Sequence, residues 1–219
     1  MGLRTRIFAA TYDWQMRGSE RAGLADLRRD VITRAAGRVL EIGAGTGLNL
    51  PHYSDAVEHL TLTEPDPSMV RRLMRAADLD PRPATVLRAP AEQLPFDDDS
   101  FDTVVSTLVL CGVDDQPQAV REIRRVLRPG GQLLFLEHVR SEDERQARHQ
   151  DRFNWLNRAL VFCDCNRPTR STLEREGLHI EELTENDFPK APSFINPLVR
   201  GRATSPTADH TATNQGVPS

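Results

Sequence analysis

Four largely apolar runs, RVLEI (38–42), HLTLT (59–63), FDTVVSTLVL (101–110) and QLLFLEHV (132–139), alternate with segments of helical spacing. Short apolar runs of this kind have little polar face to show to water. Each predicts a strand covered on both sides, and the intervening helices supply the cover. A chain built this way closes as a parallel sheet between two helix layers. Ligands of such sheets bind beyond the carboxyl ends of the strands, where the strand order reverses.

The spacing fills in the remaining elements. Ser19 reads as the N-cap of a helix over 19–36, with Glu20 at its positive end and Leu24, Leu27, Val31 and Ile32 on one face. Short helical segments follow at 50–53 and, with Pro67 in the first turn, at 67–77. ATVLR is a short strand, 116–127 a helix and RPGG (128–131) a turn. Two further helices are expected at 146–162 and 169–176, and two last strands near HIEEL and LVRGR. The end of the chain, ATSPTADHTATNQGVPS from Ala203, has no aromatic residue and reads as a disordered tail.

The sequence VLEIGAGTG places Gly43, Gly45 and Gly47 directly after the first strand. The dinucleotide fingerprint needs a glycine at the sixth position from Gly43, where Leu48 stands, and no Gly-Lys-Ser/Thr follows. The loop therefore offers a smooth backbone surface without phosphate-binding machinery. Glu64, at the end of the second strand, stands where a carboxylate accepts both ribose hydroxyls. A nucleoside without a pyrophosphate points to S-adenosyl-L-methionine. A nicotinamide oxidoreductase is disfavoured by Leu48.

Composition agrees. A net charge of −4 argues against a nucleic-acid footprint, and of 28 basic residues only Lys190 is lysine. Cys111, Cys163 and Cys165 are too few for a secreted disulfide framework. No window approaches the roughly 18 apolar residues of a spanning helix, and the first residues lack a signal-peptide run. A cytoplasmic protein is expected, with peripheral membrane contact left open. Oligomeric state leaves no signal in the sequence.

EIGAGTG, TEPD, AEQLPFDDDSFDTVV and RVLRPGGQLLFLEHV resemble the successive motifs of class I S-adenosylmethionine-dependent methyltransferases. STLVLCGVDD, LEHV and CNRPTRSTLE more narrowly resemble the methyltransferase-like family that includes animal alkyl-thiol methyltransferases and bacterial relatives. The resemblance spans about 12–202. It implies an α/β, Rossmann-like, doubly wound seven-stranded sheet with an antiparallel last strand. It divides the chain into a leading segment or lid (1–18), a methyltransferase domain (19–202) and the tail (203–219).

Cofactor contacts implied by these motifs fall on Glu41, Gly43, Ala44, Gly45, Gly47 and Asn49, then Glu64 and Pro65, Ala91 and Glu92, and Thr107 and Leu108. Glu41 either faces the methionine end or braces the loop; Tyr53 either touches the cofactor or packs. Tyr12 is the family's candidate for closing over the methionine carboxylate. Many relatives carry an aspartate two residues before Glu92; Pro90 stands there, so the adenine contact passes to Glu92 or the Ala91 backbone. The animal enzymes also carry an apolar membrane anchor ahead of the domain, and no such run stands in this sequence.

For chemistry, STLVL lacks the Asp/Asn-Pro-Pro-aromatic clamp of nucleobase amino-methyltransferases. His138, at the end of the fifth strand, is the candidate general base, titrating near neutrality; the alternative is a histidine hydrogen-bonded inside the sheet. Cys163 and Cys165 have no partner ligands at metal spacing, so a structural role and no metal are expected. The leading function is methylation of a small, lipophilic acceptor, a thiol first and a phenol or quinol second. A non-catalytic cofactor-binding module is the alternative from another class.

Overall fold

The computed structural model describes residues 3–207. A helix α1 (Leu3–Ser19) passes through one wide turn (Glu20–Leu24) into α2 (Ala25–Ile32). The sheet and its covering helices follow as β1 (Gly37–Ile42), β2 (Val57–Thr63), α3 (Pro67–Ala77), β3 (Ala84–Leu87), β4 (Phe101–Thr107), α4 (Gln116–Val126) and β5 (Leu127–His138). Then come α5 (Glu144–Val161), α6 (Thr169–Arg175), β6 (His179–Asn186) and β7 (Leu198–Thr204).

The seven strands lie in the order β3-β2-β1-β4-β5-β7-β6. The first five are parallel, and β7 runs antiparallel to both β5 and β6. The expected fold is therefore present, and the strand order reverses between β1 and β4. Alternation along β5 feeds two cores: Leu133 and Phe135 face one helix layer, Leu134 and Leu136 the other, and all four are fully buried. At about 1.5–3 kcal/mol per large buried side chain, these rows are what hold the layers together.

Three helices start on an aspartate. Asp66 accepts from the Ser68 and Met69 amides, Asp115 from Gln118 and Asp143 from Gln146, each worth about 1 kcal/mol. No helix among the described residues is long and apolar enough to cross a membrane.

Three expectations need correction. Ser19 is not an N-cap: its backbone is helical, its side chain caps nothing, and the helix began sixteen residues earlier, at Leu3. The break comes instead at Gly23, whose φ of 125° interrupts the helical path. RPGG does not separate a helix from a strand, because β5 already begins at Leu127; the register jumps from Leu127 to Gln132 and Gly130 takes a φ of 76°. The domain does not stop at Arg202 either: Ala203 pairs with Leu133, and the Ser205 amide donates to the Gly131 carbonyl. The rest of the proposed tail, 208–219, lies outside the described residues.

Candidate active site

At the carboxyl ends of β1, β2 and β4 lies a cleft of about 400 Å³. The three loop glycines do different work there. All have left-handed backbone, with φ of 56°, 60° and 91° at Gly43, Gly45 and Gly47. A Cβ on Gly43 would meet Val109 at 2.7 Å, and one on Gly47 would meet Leu50 at 2.8 Å, so these two serve internal packing. A Cβ on Gly45 would have no neighbour nearer than 4.0 Å. Its open face borders the cleft, and this is the surface that a nucleoside can approach.

Glu64 stands beside it. Its Oε2 accepts from the Gly45 amide at 3.0 Å and its Oε1 from the Asp66 amide at 2.9 Å. Burial raises its pKa, and the two amides oppose that rise. Pro65, Ala91 and Glu92 line the same cleft. The Glu92 carboxylate also accepts from the Asp114 amide at 2.8 Å, so it braces the loop after β4.

Glu41, Asn49 and Thr107 gather behind the glycine loop rather than in the main cleft. Asn49 donates to Glu41 at 2.8 Å and to Thr107 at 2.8 Å, while the Tyr53 hydroxyl donates to Glu41 at 2.7 Å. Burial pushes the Glu41 carboxyl up to about 7 against these hydrogen bonds. Glu41 and Tyr53 thus hold each other in place, which favours the bracing role for both. With Ala44, Tyr12 and Arg28, the first three line a recess of about 20 Å³ under the loop.

Two functional residues escape the sequence reading. Arg28 is buried, donates to Asn49 and Thr107 at 3.1 Å each, and pairs with Glu20 at 2.9 Å. Its signal was an arginine on the apolar stripe, four residues after Leu24 and three before Val31. Glu137 is fully buried; it accepts from the Ser106 hydroxyl at 2.6 Å and the Val109 amide at 3.0 Å. The Val109 bond ties it to the turn after β4. An acid in the middle of QLLFLEHV was the clue.

That turn places Leu108 at a φ of 59°, an uncommon conformation for a branched side chain and one that such a brace can hold. Leu108 forms a wall between the cleft and a second, mostly apolar chamber of about 160 Å³. Phe8 and Tyr12 of α1 border both cavities, so the leading segment is a helix roofing the site. Burial raises the Tyr12 pKa, with Arg28 opposing.

His138 lies in the chamber wall, buried and stacked on Phe188 with ring centroids 5.1 Å apart. Its Nδ1 lies 3.0 Å from the Ile195 carbonyl, which can only accept; the proton is therefore on Nδ1 and the lone pair on Nε2. Burial lowers its pKa to about 4, with the carbonyl opposing. His138 is neutral at physiological pH and does not titrate near neutrality, contrary to expectation. Cys163 and Cys165 are not without partner ligands: one ring nitrogen of His138 and their two sulfurs lie within 4.8 Å of one another. The chain fold brings together what the sequence separates.

Residues 40–135 match the family model described as a methyltransferase domain. Over 206 residues the chain is 30% identical to thiol S-methyltransferase TMT1A of Homo sapiens, a match covering 90% of this chain and 82% of that protein. It is 34% identical over 108 residues to phosphatidylethanolamine N-methyltransferase of Cereibacter sphaeroides, covering 49% of this chain and 53% of that one. Among solved structures, N-methyltransferase NodS from Bradyrhizobium japonicum WM9, in complex with S-adenosyl-L-homocysteine, superposes with a TM-score of 0.64. That match covers 88% of this chain and 91% of the other at 18% identity, and speaks to fold alone. The chain belongs to the class I S-adenosylmethionine-dependent methyltransferases, the family of the human thiol S-methyltransferase that it matches along most of its length.

Proposed function

We propose that this methyltransferase acts on a small lipophilic thiol, held in the apolar chamber beside the cofactor cleft. The observation that carries the reading is the adjacency of the two cavities, which share Phe8, Tyr12, Leu108 and Cys163. A chamber of about 160 Å³ is smaller than the ~300–1,000 Å³ that houses a drug-sized ligand, so it selects a small acceptor. The activity in the human relative's name, thiol S-methylation, supports sulfur as the atom methylated.

S-adenosylmethionine supplies a methyl group on a cationic sulfur. The residues around it fit: Gly45 would give the adenosine a bare backbone surface, Glu64 would accept from the ribose, and Ala91 and Glu92 would border the adenine. Arg28 and Tyr12, in the lining of the recess under the loop, would face the methionine carboxylate. Charge disappears as the methyl group moves to a thiolate, so apolar walls and exclusion of water favour the transfer. A thiol of ordinary pKa near 8.5 already supplies several per cent of thiolate near neutral pH, and neutral His138 can accept a hydrogen bond from the remainder.

A panel of thiols, phenols, quinols and amines, assayed for S-adenosylhomocysteine release, tests the reading. Turnover of lipophilic thiols above all other classes is expected. Preferential methylation of a phenol, a quinol or an amine would move the acceptor to that class, and no release with any acceptor would leave a binding module.

A further inference from the structure

We propose that His138, Cys163 and Cys165 form a zinc site in the wall of the acceptor chamber, with one coordination position left for the sulfur of the acceptor. The inference rests on the thiol reading and replaces proton acceptance by His138 with ligation. Three protein ligands plus an open position is the arrangement of catalytic zinc, whereas structural sites close all four positions.

The geometry points this way on several independent counts. The sulfurs of Cys163 and Cys165 are 3.7 Å apart. Two thiolates on one tetrahedral zinc, with Zn–S bonds of about 2.3 Å, stand about 3.8 Å apart. The histidine keeps one nitrogen available as a ligand: its Nδ1–H is held by the Ile195 carbonyl, which leaves Nε2 free to bind. Asn157 donates its amide to the sulfur of Cys165, the hydrogen bond expected beside a thiolate. Two thiolates and an imidazole are a soft set that favours zinc over magnesium or calcium.

The loop that carries the two cysteines is also pinned, so that only a small closure of the ligand atoms from their spread of up to 4.8 Å is needed to grip an ion. Between the two cysteines, Asp164 accepts from Asn154 at 2.8 Å and from Arg158 and Arg167 at 2.9 Å each. The Cys165 amide donates to Asn154, and the Asp164 amide donates to the Cys111 carbonyl at 2.8 Å. A loop this heavily pinned is costly to build for two idle thiols. His138 and Cys163 both line the chamber, so the open position faces the acceptor.

The chemistry closes without an oxidant. On coordination the acceptor thiol loses its proton to solvent, because a metal-bound thiol is deprotonated. A lone pair of that sulfur forms the new carbon–sulfur bond. The sulfonium carbon–sulfur bond breaks, its electron pair leaves with S-adenosylhomocysteine, and the thioether product dissociates from the ion, whose charge is unchanged.

The test uses the full-length protein stripped with a chelator and refilled with zinc or cobalt(II). Uptake of one equivalent is expected, with the intense visible bands of tetrahedral cobalt and a sulfur-to-cobalt charge-transfer band in the near ultraviolet. A small lipophilic thiol should shift these bands. Cys163→Ser and Cys165→Ser should each lose uptake while keeping their circular dichroism and cofactor binding, and Asn157→Leu should weaken it by about 10–100-fold. Glu182→Gln, in an exposed ion pair, is the control that keeps it. Failure of the wild type to take up either ion overturns the site, as does uptake indifferent to both serine variants. A cobalt spectrum that ignores the thiol, or full thiol turnover by the stripped enzyme, overturns the role of the ion while the thiol reading stands. Metal uptake with no thiol turnover at all would instead count against the thiol reading.

Discussion

The cofactor half of the site and the acceptor half are built in opposite ways. Under the roof of α1, the cofactor half is made mostly of short runs of neighbouring residues: Gly43 and Gly45 of one loop, Glu64 to Asp66 at one strand end, and Pro90 to Glu92. The acceptor half draws Phe8 and Tyr12 from α1, Leu108 and Cys111 from the turn after β4, His138 from the end of β5, and Cys163, Phe188 and Ile195 from connections between later elements. A site made from neighbouring backbone leaves a motif, whereas a site assembled from remote side chains does not. The first half binds the same ligand throughout the family, and the second is free to vary with the acceptor.

Substitutions in the two halves should therefore fail differently, and the largest effect falls at the bare backbone. Gly45→Val should abolish S-adenosylmethionine binding in calorimetry, since the side chain would project into the cleft and resist a φ of 60°. The fold should survive with only the cost of the strained φ, because no neighbour lies within reach of the added Cβ beyond the 4.0 Å contact. Unchanged affinity would remove the cofactor assignment. The same change at Gly43 or Gly47 should instead lower the melting temperature, because those positions are packed.

Next in size is the buried network that backs the loop. Arg28→Ala should destabilise the protein by about 3 kcal/mol, the low end for breaking a buried pair, because Glu20 keeps some access to water. Denaturant melts check this. A variant as stable as the wild type would make Arg28 a ligand-binding residue only, and the two halves would then be less separate.

A pH effect of similar size is expected from Glu41. Its carboxyl is raised to about 7 in the folded protein from 4.5. The contribution is fully present below pH 4.5 and is lost as pH rises through 7, to a limit of about 3 kcal/mol. Glu41→Gln, which keeps a partner for Tyr53, should flatten that slope in melts across pH 5–8. An unchanged slope would place the titration elsewhere.

Smaller still, Glu64→Ala should weaken cofactor binding by about 1.5–3 kcal/mol, the range for a charged hydrogen-bond partner. Because Glu64 also accepts from the Gly45 and Asp66 amides, a modest loss of stability should accompany it. Calorimetry beside a thermal melt separates the two. If the folded fraction binds normally, Glu64 is a brace.

How much could be read from the sequence follows the same division. The sheet, the glycine loop and Glu64 were legible because apolar periodicity and alternating glycines are local signals. The α3 bounds, 67–77, were read correctly from Pro67 and the helical spacing. Ser19 misled because a serine before an apolar stripe looks like a cap whether or not the helix has already begun, and α1 precedes it with little amphipathic contrast. Arg28 and Glu137 were visible as charges in apolar runs but had no local partner to explain them. Their partners, Thr107 for the arginine and the turn after β4 for the glutamate, lie on other elements. The meeting of His138 with Cys163 and Cys165 depends on where α5 returns the chain, which no spacing encodes.

In the proposed reaction a methyl group passes from the cleft at Gly45 to a sulfur in the chamber at His138. The most direct measurement supplies the enzyme with cofactor carrying a deuterated methyl group and one lipophilic thiol, and follows the product by mass spectrometry. The expected product is a thioether carrying the intact deuterated methyl group, formed in step with S-adenosylhomocysteine and lost in Gly45→Val. Release of S-adenosylhomocysteine without the labelled thioether, or label found only on an amine included in the same mixture, would contradict it.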